Sequence, residues 1–370
     1  MKIRVNQETL MPVLTKVGGV VERRQTLPIL GNLLISAEDD FLQFTGTDLE
    51  IEVHAKSSST VEQSGKTTLP ARKLIEICRA LPEGTEISLK IEKDRASLVA
   101  GRSRFTLSTL PAGDFPVMER SEEMQRIDVE QQTLKHLFEK TAFAMAHQDV
   151  RYYLNGLLLE LKPDRLVAVA TDGHRLAKVE ETLPLGVSEE GMQIILPRKT
   201  VLELNRLLGG GGDADAGIQI EISEKMFRAV IGDVLVTSKL VDGRYPDYDR
   251  VVPPTPERIA YVDRDTLKQA LFRTSILSNE KYRGVRFSLD QGELKLQTQN
   301  PEKEEAEEEL EITYSQEPMV IGFNVGYLID VLNVLEEEKV EIGFKDSDGS
   351  VILRNKGREK ETFVVMPMRL

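Results

Sequence analysis

The sequence predicts an α+β protein: three tandem copies of one domain, each with two helices and antiparallel sheets. Three observations carry that prediction. A strand running into an amphipathic helix occurs three times. A Thr-Asp turn and a second helix follow it at matching distances in the first two copies. Short strands of period two outnumber helices throughout.

The middle copy is the clearest. Within residues 126–145, Ile127 and Val129 alternate with polar neighbours, as in a half-buried strand. Leu134, Leu137, Phe138 and Met145 then recur on one helical face. Ile3, Val5, Thr9, Leu10, Val13, Leu14 and Val17 hold the same places near the N-terminus. Ala260, Val262, Thr266, Leu267, Ala270 and Leu271 hold them in the third copy. The Thr-Leu pair falls at 9–10, 133–134 and 266–267, at spacings of 124 and 133.

The remainder of the unit recurs as well. Thr47-Asp48 is matched by Thr171-Asp172, again 124 apart. A second helix opens at 69–73 (LPARK) and at 196–199 (LPRK). Proline is tolerated in a first helical turn because its missing N–H has no partner there. Residues 108–116 (STLPAGDFP) parallel 238–246 (SKLVDGRYP). The third copy is looser, and its second helix, over 324–335, lacks the Arg-Lys opening.

The predicted domains are therefore 1–120, 121–251 and 252–370, joined at 111–123 and at the proline-rich 253–256. Each is long enough for its own core, and the period is too long for a solenoid of small repeats. In the first copy, strands are expected at 31–37 and 41–47, a helix over 70–81 and three short strands over 87–107. The glycine run 209–212 reads as a turn, since no Gly-Lys-Ser/Thr follows to make a phosphate loop.

Composition narrows the class. With 370 residues, 40% hydrophobic and 29% charged, the chain reads as globular. No run of 18 apolar residues marks a membrane span, and the first ten residues are already fold sequence. The single cysteine, Cys78, excludes an intramolecular disulfide or a multi-cysteine zinc cluster and reads as a small core residue. A reducing, cytoplasmic location is the expectation.

The net charge of −13 argues against broad nucleic-acid binding. Its distribution is uneven, however. Six glutamates crowd into 302–309. Basic residues gather on or beside the repeated helices: Arg23 and Arg24, Arg72, Lys73 and Arg79, Lys135 and Lys140, Arg198, Lys199 and Arg206, Lys268 and Arg273. On one helix they would be a solvated face. Their recurrence at equivalent places sets them apart.

Little catalytic chemistry is legible. His54, His136, His147 and His174 lack metal-ligand spacing, and 302–309 lacks a calcium-loop pattern, so no metal or cofactor is implied. Asp172 and His174 could serve a hydrolase as orienter and base. The competing reading is an Asx-type turn that presents a surface histidine, and the absence of a Gly-x-Ser-x-Gly nucleophile motif favours it.

Seven stretches then carry a resemblance: 26–34 (TLPILGNLL), 146–156 (AHQDVRYYLNG), 170–177 (ATDGHRLA), 238–248 (SKLVDGRYPDY), 276–286 (ILSNEKYRGVR), 300–310 (NPEKEEAEEEL) and 364–370 (VVMPMRL). Over its full length the chain resembles the bacterial DNA sliding clamps, the beta subunits of replicative DNA polymerase III. Departures fall at the glycine run 209–212 and the strand 351–363. The resemblance implies three copies of the DNA clamp domain and a head-to-tail homodimer closing into a ring around duplex DNA. It implies a tether without catalysis that confers processivity on the polymerase.

Residue by residue, the resemblance sets Arg102, Arg104, Phe105 and Leu107 of one chain against Ile276, Leu277, Glu302, Glu304, Glu305 and Glu308 of the other. It puts Arg24 and Gln148 on loops that touch DNA, with Arg72, Lys73 and Lys199 as further contacts on helices lining the hole. It assigns a pocket for short peptides from the polymerase catalytic subunit, the clamp loader and other proteins. The wall is Leu154, Thr171, Gly173, His174, Arg175, Leu176, Pro246, Arg250, Val251, Ser350, Val364, Met366, Pro367 and Met368, with Asn324 and Tyr327 nearby. The rival readings are the Asp172–His174 hydrolase and a DNA-binding repair protein that does not encircle its substrate.

Overall fold

A computed structural model describes residues 1–22, 27–119, 124–209, 217–253 and 256–369. Arg24, most of the glycine run, part of each linker and Leu370 lie outside the described residues. The described residues hold six α-helices: α1 (Gln7–Gly18), α2 (Ala71–Ala80), α3 (Gln131–Thr141), α4 (Arg198–Leu208), α5 (Arg264–Ser275) and α6 (Val325–Val334).

The repeat is visible in which side chains are buried. On α1 they are Leu10, Val13, Leu14 and Val17. On α3 the same positions hold Leu134, Leu137, Phe138 and Thr141, and on α5 Leu267, Ala270, Leu271 and Thr274. Each set follows the i, i+3, i+4, i+7 rule for one buried face. Thr141 and Thr274 are tolerated inside because each hydroxyl donates to the carbonyl one turn back, Leu137 O at 2.6 Å and Ala270 O at 3.0 Å.

The helix predicted through Met145 is shorter. It ends at Thr141 and passes into a 3-10 turn, Ala142–Ala144. Met145 is still buried, at 3% exposure, but by the turn and not by helical periodicity. The proline openings also shift by a residue or two. Pro70 and Pro197 each end a strand, and the helices begin at Ala71 and Arg198. Proline suits that junction because its ring already fixes φ and it need not donate to the ladder.

Four antiparallel sheets organise these helices. Two lie in a compact unit formed by residues 1–135 and 199–240, and two in a unit formed by 136–198 and 241–370. In the first unit, a five-stranded sheet ends on the edge strand Ser103–Ser108. Its partner has eight strands, four from each of the first two repeats. They join where Val234–Lys239 pairs with Ile51–Ser58, Val236 opposite Val53. In the second unit, an eight-stranded sheet joins the second and third repeats through Arg175–Thr182 and Glu361–Val365, Ala177 opposite Phe363. A four-stranded sheet there ends on the edge strand Glu305–Glu311. The compact units thus cut across the sequence repeat, because neighbouring copies share a sheet.

One basic residue of the repeated helices is not a surface charge. The Lys140 side chain is 3% exposed, donates to Val334 O, and lies 2.7 Å from Glu336. The hydrogen bond from Lys140 holds the Glu336 carboxyl below the usual glutamate range. That pairing is complete above the ordinary glutamate pKa and is lost as pH falls through the depressed folded value. Lys140→Met should lower stability by about 1–3 kcal/mol, because it strands the Val334 carbonyl. Urea unfolding measures this, with exposed Lys73→Met as a control expected within ~0.5 kcal/mol.

Candidate functional site

The site is built on the turn that joins two strands, Arg165–Thr171 and Arg175–Thr182. Thr171 Oγ1 donates to Arg175 O at 2.6 Å and accepts from Gly173 N at 3.0 Å. Asp172 Oδ1 accepts from His174 N and Arg175 N, at 2.9 and 3.0 Å. This is an Asx turn, in which a short carboxylate replaces missing backbone partners. Gly173 sits at φ +88°, and a Cβ there would meet the Arg151 guanidinium at 2.9 Å.

Arg175 locks the turn. Its Nε donates to Asp172 Oδ2 at 3.0 Å and its Nη2 to Phe143 O at 2.9 Å, while Nη1 pairs with Asp330. The guanidinium lies over the Phe143 and Tyr327 rings, 5.3 and 4.7 Å from their centroids. With its side chain 12% exposed and its donors engaged, Arg175 is a strut and not a free hand for a ligand. His174 stacks on Tyr327, ring centroids 6.3 Å apart. Asp172 therefore orders backbone, not the His174 imidazole, which is the Asx-turn reading and not the hydrolase one.

The chain end completes the wall. Val364 and Val365 are fully buried in the last strand. Met366 N then donates to His174 O at 2.9 Å, and Met368 N to Gly322 O at 2.8 Å. Met366, Pro367 and Met368 remain half-buried. Beneath them, Leu154, Leu176 and Val364 join one buried cluster with Val167, Val169 and Ile352, against which Val251 packs. Pro246 and Arg250 are exposed; Arg250 pairs with Asp247 at 2.9 Å with its side chain 85% open to solvent. Ser350 is half-buried beside the last strands. Asn324 serves a different purpose: its side chain caps α6 at Gly326 N and donates to Tyr282 O.

Two tyrosines that sequence reasoning passed over hold this floor. Tyr245 Oη accepts from Thr171 N at 3.1 Å, and Tyr248 Oη donates to Glu160 Oε2 at 2.7 Å. Burial pushes both phenols above the ordinary tyrosine range, and the Glu160 charge adds to this at Tyr248. Burial works against the Glu160 charge, but hydrogen bonds from Gln193 and Tyr248 outweigh it and lower its pKa. The signal in sequence was the YPDY spacing inside an otherwise polar linker.

The other predicted residues separate by exposure. Arg72 is exposed and paired with Glu76 at 2.8 Å; Lys73 is exposed. Lys199 donates to Val20 O at 3.0 Å and to Glu22 at 2.9 Å, and also pairs with Asp48. Burial opposes its charge, but the two carboxylates outweigh it and raise its pKa. Gln148 is exposed at φ +57°, in a loop braced by two hydrogen bonds between Asp149 and Asn155 at 2.8 Å.

Arg102, just before one edge strand, and Arg104 within it are exposed, while Phe105 is half-buried on the opposite face, where Leu107, 8% exposed, belongs to the core. Ile276 is 69% exposed and Leu277 half-buried. Glu302, Glu304 and Glu305 are exposed, and Glu308 is held by Arg273 through two 2.6 Å bonds. Phe272, 64% exposed one helical turn before Ile276, was missed because it stands off the buried face. Among the described residues no group of three or more His, Cys, Asp or Glu is arranged to hold a metal ion. No helix there is long and apolar enough to cross a membrane.

Fold, repeat and turn together define a tandem-repeat clamp rather than a catalytic centre. Residues 1–119, 128–247 and 249–369 match in turn the N-terminal, central and C-terminal domain families of the DNA polymerase III beta subunit. The beta sliding clamp of Escherichia coli K12 is 49% identical, with all of both chains covered. Among solved structures, the DNA polymerase III subunit beta of Pseudomonas aeruginosa superposes with a TM-score of 0.95 at 46% identity over all of both chains. A Bartonella birtlesii sliding clamp bound to griselimycin does so at 0.96 and 38%, again over all of both. The chain belongs to the DNA polymerase III beta subunit family, the beta sliding clamps. It is a processivity clamp of DNA replication and not an enzyme.

Arg175→Lys tests the strut. Lysine cannot serve Asp172, Asp330 and Phe143 O at once. The expected loss is about 1–3 kcal/mol by urea unfolding, with faster amide exchange at His174 and Arg175. Exposed Arg250→Lys should change neither.

Proposed function

We propose that two copies of this chain close head to tail into a ring around duplex DNA, and that the 171–176 turn with the chain end captures peptides of the replication machinery. The observation that carries the ring is a pair of complementary edges. One edge strand, Ser103–Ser108, is preceded by Arg102 and carries Arg104; the other, Glu305–Glu311, is glutamate-rich. Phe272 and Ile276 supply exposed apolar surface beside the second. An unpaired strand edge is a template for another strand, and opposite charges give it register. Phe105 is the apolar residue offered from the first edge; Leu107 contributes from beneath.

For DNA, exposed Arg72 and Lys73 are the phosphate contacts best supported, with Gln148 on its braced loop and Arg24 as expected by likeness. Lys199 is already shared between two carboxylates, so its contribution is to hold the 20–22 segment and the 47–51 turn. Such contacts recognise phosphate without reading bases, as sliding requires. The peptide partners are the polymerase catalytic subunit, the clamp loader and other proteins with clamp-binding segments. Adaptable methionines at the wall suit varied apolar anchors. A cytoplasmic location follows from that role.

Ile276→Ala with Leu277→Ala should weaken the dimer, since each buried aliphatic side chain contributes about 1.5–3 kcal/mol and the ring has the interface twice. Sedimentation at low micromolar concentration reads the shift from twice the 41.6 kDa chain mass towards one. An unchanged dimer would move the interface elsewhere.

Encirclement has its own signature. Loaded protein should stay on nicked circular DNA at moderate salt and leave when the circle is cut, whereas unloaded binding should be weak and steeply salt-dependent. Equal retention on cut and uncut DNA would instead favour a non-encircling binder.

A further inference from the structure

The turn that anchors the proposed peptide pocket has a twin. Thr47 Oγ1 donates to Ile51 O at 2.9 Å and accepts from Leu49 N at 3.1 Å. Asp48 Oδ1 accepts from Glu50 N and Ile51 N, at 2.9 and 2.8 Å. These are the four bonds of Thr171 and Asp172, each shifted by 124 residues. The neighbouring strand repeats too. Lys239 N donates to Glu50 O at 2.9 Å, as Met366 N does to His174 O. Ser238 pairs with Ile51 as Val365 pairs with Arg175.

Beside this twin lies an open cleft of about 910 Å³. Its walls take the places of the proposed pocket's walls. Leu49 stands where Gly173 does, Pro116 where Pro246 does, Met226 where Ser350 does and Lys239 where Met366 does. Val117 and Met118 follow Pro116, and Met118 N is fixed on Glu52 Oε2 at 3.1 Å. Two features of the cleft are those of a binding surface. Leu49 is held at φ +81°, a conformation costly for a bulky side chain, yet 38% of it stays open at the rim. Val117 is 58% exposed beside it. The rim also carries Lys225, Lys239, Glu119 and Glu224, all exposed. The two lysines flank one another, since Leu240 N bonds Lys225 O, and neither has a carboxylate within ion-pair distance among the described residues.

We infer that the Leu49–Met118–Met226 cleft is a second peptide-binding site on each chain, taking an extended segment with apolar anchors and an acidic flank. Leu49, Val117, Met118 and Met226 receive the anchors; Lys225 and Lys239 receive the flank. The site rests on the reading of the first pocket, whose congruence identifies the occupant, and it is the weaker of the two. Lysine at 239 replaces an apolar wall, and Leu49 sets a bulky side chain where the first pocket has none.

The chain contains no tryptophan, so a single introduced one reports on its own site. Full-length Val117→Trp reports the cleft and Arg250→Trp the first pocket. The probe is a synthetic, tryptophan-free peptide containing Gln, Leu and Phe and flanked by two aspartates. The Trp at 117 should respond saturably, at roughly tenfold lower affinity than the Trp at 250. Met226→Glu should weaken only the response at 117, by roughly tenfold, and deletion of residues 366–370 only the response at 250. Lys225→Glu with Lys239→Glu, both on the surface, provides a second variant that does not burden the fold. It should weaken the cleft for the aspartate-flanked peptide, and so should removing the aspartates. Silence at 117 when peptide is about a hundredfold above the first site's Kd overturns the inference. So does a response at 117 that disappears with the tail deletion, or one indifferent to both Met226→Glu and the lysine reversals. Failure of the first-pocket reading appears separately, as a silent Trp at 250.

Discussion

Everything described here depends on one backbone constraint: the last strand of a repeat pairs with a strand of the repeat before it. Val234–Lys239 lies along Ile51–Ser58, and Glu361–Val365 along Arg175–Thr182. The pairing cannot slip, because side chains alternate faces and a one-residue shift would turn the buried set outwards. Val236 opposite Val53, and Phe363 opposite Ala177, are all fully buried. The ladder's final bonds, Lys239 N to Glu50 O and Met366 N to His174 O, fall on the two Thr-Asp turns. Register therefore decides what stands beside each turn. A chain end that would otherwise fray is fixed there by the same ladder.

That constraint also explains what the sequence could and could not reveal. The buried helix faces were legible because Leu10, Leu134 and Leu267 begin the same i, i+3, i+4, i+7 series, and periodicity is a local property. Thr171, Asp172 and Gly173 were legible as a turn for the same reason. The fate of charges was not. Lys140 and Arg175 look like surface cations in sequence, but Val334 O with Glu336, and Asp330 with Phe143 O, come from elsewhere in the chain. The resemblance alone put Leu107 at an interface, and the strand's alternation turns it inward on the face it shares with half-buried Phe105. Tyr245 and Tyr248 sit in a linker without periodicity, and only the fold brings Thr171 and Glu160 to their hydroxyls. Repeats joined by shared sheets leave no compositional mark, so compact units that cut across the repeats could not be read from the chain alone.

The two turns show how one geometry can diverge in use. With the same hydrogen bonds and nearly the same φ, a side chain at 173 would meet the Arg151 guanidinium, while Leu49 lines the cleft rim. A left-handed conformation costs a non-glycine residue roughly 1–2 kcal/mol. At 173 that cost is avoided and the space goes to the Arg151 guanidinium, which pairs with Asp149. At 49 it is incurred and offset by the Thr47 and Asp48 bonds, which hold the backbone whatever side chain stands there. The strain is therefore local, and the apolar surface it presents is independent of the core beneath.

The edge strands carry the last step. An exposed edge invites any other edge, and proteins guard against this with charge. Here the guards differ in sign: Arg102 and Arg104 on one edge, and a run of glutamates on the other, with Glu308 partly neutralised by Arg273. Two copies meeting like edge to like edge would set arginine against arginine or glutamate against glutamate, at an energetic cost. Only unlike edges attract. Contact is thereby biased towards the heterologous kind, and a heterologous contact either closes on itself or grows without end. Closure needs the two edges of one chain to be related by the rotation that returns a second copy to the first.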